Sequence, residues 1–107
     1  GRYAEARSEF ERFIEESPKD PRAPWASFES GRLAMDHLED FTGASMSIER
    51  AVKMAPGAPF VPDALARQIT LLEIAGRYES CFLVKRRYLE NYPDGAHVPE
   101  VSSACKK

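Results

Sequence analysis

Apolar residues recur along this chain at steps of three and four, and proline punctuates the runs. Tyr3, Ala6, Phe10, Phe13 and Ile14 form one such stripe, with Arg7, Glu9, Glu11, Arg12, Glu15 and Glu16 on the other side. That period places the apolar set on one face of an amphipathic helix over about 3–17. Ser17-Pro18 ends it, because a residue before proline is pushed out of helical backbone angles. The same reading predicts a second helix over about 23–37, carrying Trp25, Phe28, Gly31 and Met35, with Leu38 just beyond. Pro21 and Pro24 bracket its start, where a helix tolerates proline. A third helix runs over about 40–55 with Phe41, Ala44, Ile48, Ala51, Val52 and Ala55 on its apolar face. The fourth, about 61–75, is apolar almost all round through Leu65, Ile69, Leu71, Leu72, Ile74 and Ala75, which predicts a central, sandwiched element. Gly76 is its expected C-terminal cap. A fifth helix (about 77–91) and a short sixth (about 97–105) complete the chain. No alternation of period two interrupts this pattern, so the expected class is all-α, built of antiparallel helix pairs.

The runs repeat. Gly1-Arg2-Tyr3 returns as Gly76-Arg77-Tyr78, and Pro18, Pro56 and Pro93 lie 38 and 37 residues apart. A second series, Pro24, Pro62 and Pro99, follows each of these by six residues. A period of this length belongs to stacked helical arrays, in which no unit buries its apolar face alone. The whole of 1–107 is therefore read as a single repeat domain. Gly1 falls midway through a repeat, so the chain is expected to be a fragment of a longer protein.

Ala6, Phe10, Phe13 and Pro18 carry the steps four, three and five, and so do Ala44, Ile48, Ala51 and Pro56. This spacing resembles the second helix of a tetratricopeptide (TPR) repeat. Cys81, Lys85, Tyr88 and Pro93 keep the spacing, but Lys85 stands where an apolar residue belongs. Gly31 resembles the close-approach glycine of a TPR first helix, and Ile69 occupies the matching place in the next repeat. The phrasing around Gly1-Arg2-Tyr3 and Ser17-Pro18 is similar to the bacterial envelope branch of the family, including Tol-Pal-associated periplasmic proteins and outer-membrane assembly lipoproteins. The resemblance implies a short right-handed solenoid of about six helices, a periplasmic or outer-membrane-associated setting, and a concave groove lined by the first helix of each pair. In this chain that groove would hold Trp25, Phe28, Arg32, Met35 and Asp36, then Thr70 and Glu73 with Asp63, Ala66 and Ile74 from the fourth helix.

Composition narrows the function. Hydrophobic residues make up 43% of the chain and charged residues 30%, the balance of a globular domain. A net charge of -2 argues against a nucleic-acid surface, which needs a clustered basic excess. No apolar run approaches the roughly 20 residues of a membrane-spanning helix. Lys85, Arg86 and Arg87, with Arg77, read as a solvated outer helix face or as contacts to an acidic partner or lipid. Neither His37 nor His97 has ligands at metal-site spacing; His37, beside Asp36, is expected to complement a helix end. The serines carry no nucleophile signature, and the glycines form no phosphate cradle. No enzyme, cofactor or small-molecule substrate is therefore expected.

Cys81 and Cys105 are equidistant from residue 93. If the fifth and sixth helices form a hairpin there, the two cysteines lie opposite each other and can pair as a disulfide. The alternative is two small buried hydrophobes. The expected activity is protein–protein interaction, with a partner segment in the groove oriented by Arg32 and Asp36. Trp25 and Phe28 either anchor that partner or pack between helices. A structural spacer or self-association segment is the competing reading, and the aromatic stripe of the first helix offers an edge through which two copies would pair.

Overall fold

The computed structural model describes residues 1–106, which form six α-helices and, among those residues, no strand. They are α1 (Arg2–Glu16), α2 (Ala23–Asp36), α3 (Phe41–Met54), α4 (Val61–Ile74), α5 (Tyr78–Asn91) and α6 (Val98–Ser103). The chain divides into two compact units, Gly1–Ala58 and Pro59–Lys107, at the Pro56-Gly57-Ala58-Pro59 break.

The repeat is written into the backbone as well as the side chains. Pro24, Pro62 and Pro99 each occupy the second position of α2, α4 and α6, where the missing N–H has no intrahelical partner to lose. Ser17, Ala55 and Tyr92 each close a helix with φ near -140° and ψ near +60 to +75°, the extended conformation imposed by the proline that follows. Asp40 and Arg77, which begin α3 and α5, share φ -93° and -94° and ψ 79° and 73°. The residue before each is left-handed, Glu39 at φ 51° and Gly76 at φ 70°. After α4 this makes a Schellman closure: the Gly76 N–H donates to the Glu73 carbonyl and the Arg77 N–H to Leu72.

In the first unit, contacts run in opposite order along successive helices, so α1, α2 and α3 are antiparallel neighbours. Tyr3 meets His37 and Phe10 meets Trp25; Ser27 meets Ser47 and Gly31 meets Ala44 and Ile48. A Cβ on Gly31 would lie 2.5 Å from Ile48 Cγ1 and 3.1 Å from the Ala44 carbonyl oxygen, so glycine sets how closely α2 and α3 approach. Their pairing is the most extensive in the chain. Ile14, Phe28, Leu33, Ile48 and Val52 are buried.

In the second unit, α4 packs on α5 and α5 on α6. Leu65, Ile69 and Leu71 are buried, with Tyr88 and Val101. The all-round apolarity of α4 is not matched by all-round burial, because Ile74 at its C-terminal end is 55% exposed. Tyr88 is fully buried, and its hydroxyl accepts the His97 backbone N–H at 3.0 Å, which ties the turn between α5 and α6 to the core.

Candidate functional site

The α2 residues expected to line a groove differ sharply in what they present. Trp25 is 50% exposed, its ring edge-on to Phe10 at 5.5 Å. Phe28 is only 5% exposed, so its ring belongs to the core and does not face solvent. Arg32 is half-buried and its guanidinium is held by Glu29, with Nη2–Oε2 at 2.6 Å and Nε within 3.3 Å of both carboxylate oxygens. That pairing leaves it less able to orient a partner's charge than a bare arginine. Met35 is half-buried and Asp36 exposed.

The α4 candidates lie in the second unit. Thr70 is exposed, and its hydroxyl donates to the Ala66 carbonyl at 3.4 Å. Glu73 turns toward the C-terminal segment, where its carboxylate accepts the Cys105 N–H at 2.9 Å. A role in closing the tail thus occupies a side chain that helical spacing assigns to a surface.

Cys81 and Cys105 are joined by a disulfide, with their Cα atoms 5.7 Å apart. Both are fully buried. The turn centred near residue 93 places them opposite each other because α6 returns antiparallel to α5. Lys85, the polar exception in the repeat pattern, sits one turn further along α5. Its Nζ donates to the Ser102 and Ala104 carbonyls at 3.0 Å each, covering the unpaired end of α6. Arg86 and Arg87 stay exposed, as does Arg77. Cys105 is held at φ 66°, left-handed geometry that non-glycine residues adopt only when fastened.

A polar seam between α1, α2 and α3 is the feature that sequence reasoning missed. Arg7 donates through Nη1 to Asp40 Oδ2 at 2.7 Å and through Nε to Ser30 Oγ at 3.3 Å. Arg50 donates through Nη2 to Glu11 Oε2 and through Nε to Ser27 Oγ, both at 2.7 Å, and the Ser27 hydroxyl donates to the Ser47 carbonyl. Asp40 also caps α3 by accepting the Gly43 N–H at 2.9 Å. Burial pushes the Glu11 carboxyl up, but hydrogen bonds from Arg50 and Ser30, with the Arg50 and Arg7 charges, outweigh it and hold it below the usual carboxylate value. The Gly43 N–H, then Arg7, lower Asp40 likewise. Periodicity assigned Arg7 and Glu11 to a solvated face. The available signal was Ser27 and Ser30, buried hydroxyls on the same α2 face as Gly31, which need partners once α3 covers them.

The histidines also find neighbours. The His37 ring stacks flat on Tyr3, centroids 3.9 Å apart. His97 lies between Glu100, at 2.5 Å, and Asp63, at 3.5 Å. Among the described residues no three His, Cys, Asp or Glu side chains gather into a set able to hold a metal ion. The aromatic stripe of α1 is largely met from within its own unit: Tyr3 by His37, Phe10 by Trp25, and Phe13 by the Arg22 guanidinium at 5.2 Å. Among the described residues no helix is long and apolar enough to cross a membrane. No family model, no curated protein and no solved structure matches this chain.

Proposed function

We infer that this chain is a TPR-like interaction module that binds a segment of another protein along the exposed side of α2. The observation that carries the reading is Trp25, a large aromatic left half open at the start of a helix that is closed tightly on α3 through Gly31. A rigid, half-exposed indole on a well-packed helix offers contact area at little entropic cost, the character of a binding hot spot. The recurrence of closely similar cap conformations every 37 or 38 residues supports a helical repeat. The disulfide supports an oxidising compartment, such as a bacterial envelope.

The anchor in this reading is Trp25 alone, since Phe28 is buried and Arg32 already has a carboxylate. The partner's matching element is an apolar side chain with a polar flank that reaches Asp36. Affinity capture from envelope extract with the parent chain, Trp25→Ala and Trp25→Phe tests it. Loss of a partner with alanine and retention with phenylalanine is expected. Equal recovery by all three, with folding intact by circular dichroism, refutes the assignment.

A further inference from the structure

The outward face of α5 is not used by the reading above. Phe82 and Leu83 are 47% and 62% exposed, side by side in the middle of the helix. Buried Cys81 and Tyr88 mark the opposite face as the core side. Glu79, Arg86, Arg87 and Glu90 are exposed on the same outward side as the apolar pair. Arg77, at the helix start, borders Glu79 and Phe82 in one shallow depression.

Along this face the order is Glu79, Phe82-Leu83, Arg86, Glu90. Reversed about its centre, it meets itself with opposite charges aligned: Glu79 against Arg86, and Phe82 against Leu83. Only an antiparallel pairing about a two-fold axis near residues 82–83 achieves this, and in such an isologous contact each pair occurs twice. Glu79 and Arg86 are seven residues apart, two helical turns or about 10 Å, so both stay on one side of the helix. A parallel pairing sets like charge against like. We propose that the exposed face of α5 is a self-complementary surface that pairs with α5 of a second copy.

The apolar centre is small, so the contact belongs to the weak, concentration-dependent class. Opposite charges flanking it choose the antiparallel register and weaken with salt. An acidic protein or an anionic membrane matches this face less well, because Glu79 and Glu90 interrupt its basic residues.

Sedimentation velocity of the 107-residue chain, from about 10 μM to about 1 mM at low salt, is the test. Reversible dimerisation is expected, weakened at least about tenfold by Leu83→Glu, by Glu79→Arg and by Arg86→Glu. The combined Glu79→Arg/Arg86→Glu chain should recover to within about threefold of the parent, since the swap preserves complementarity. Circular dichroism separates these effects from misfolding. A monomer throughout, a dimer indifferent to Leu83→Glu, or a double swap that fails to recover would overturn the proposal. So would a monomer that co-sediments with vesicles of anionic lipid through Leu83, which would make the face lipid-binding.

Discussion

Glu39 and Gly76 occupy the same structural position in successive hairpins, and only one of them is glycine. A left-handed residue with a Cβ costs roughly 1–2 kcal/mol, part of which glycine returns as extra freedom in the unfolded chain. Glu39→Gly is therefore expected to stabilise the protein by about 0.5–1 kcal/mol, and Gly76→Ala to destabilise it by about 1 kcal/mol. Urea titrations with an unchanged slope check both. Gly76 was legible as a cap because glycine advertises positive φ. Glu39 was not, since nothing about glutamate signals that conformation and only the matching turn reveals it.

Glu11 makes a second residue-level case. Its folded-state pKa is lowered, so its contribution is present above the ordinary carboxylate pKa and is lost as pH falls through the folded value. Asp40 acts in the same direction. The parent chain should lose stability on acidification below about pH 4, and Glu11→Gln should flatten that loss while costing at most about 1 kcal/mol at neutral pH, given its partial exposure. An acid limb identical in both chains would count against the seam as described.

Among elements, α6 depends most on its fastenings. It has six residues, too few to be stable as a helix in isolation. The disulfide, the Lys85 ammonium and the Glu73 carboxylate hold it on the second unit. With the cysteines 24 residues apart, the cross-link contributes about 3.5 kcal/mol by the chain-entropy account. Treatment with a dithiol, or Cys105→Ser, should raise amide exchange across α6 well before α2 and α3 respond. Retained α6 protection after complete reduction would show that packing alone suffices. Helix positions were legible because apolar spacing and proline are local signals, each acting within a turn or two. Lys85 looked like a defect because its reason lies in carbonyls 17 and 19 residues away.

For the molecule as a whole, the two proposed surfaces carry separate functions, so their variants should act separately. Trp25→Ala should abolish partner capture and leave self-association untouched, while Leu83→Glu should do the reverse. Coupled losses would indicate one shared surface or a common folding defect.

The helices, their order and the turns that join them were readable from the chain, because each follows from local backbone preference; symmetric spacing about a turn made the cysteine pair one of two alternatives, and the fold decided it. Which polar residues are buried was not readable. Helical period assigns a side chain to a direction on its own helix, not to what stands opposite. Packing of three helices turned Arg7, Glu11, Ser27 and Arg50 into one hydrogen-bonded seam. It also drew Phe28 out of the candidate surface and left Trp25 half exposed, while in the second unit the Cys105 N–H drew Glu73 away, because burial depends on neighbours that are distant in sequence.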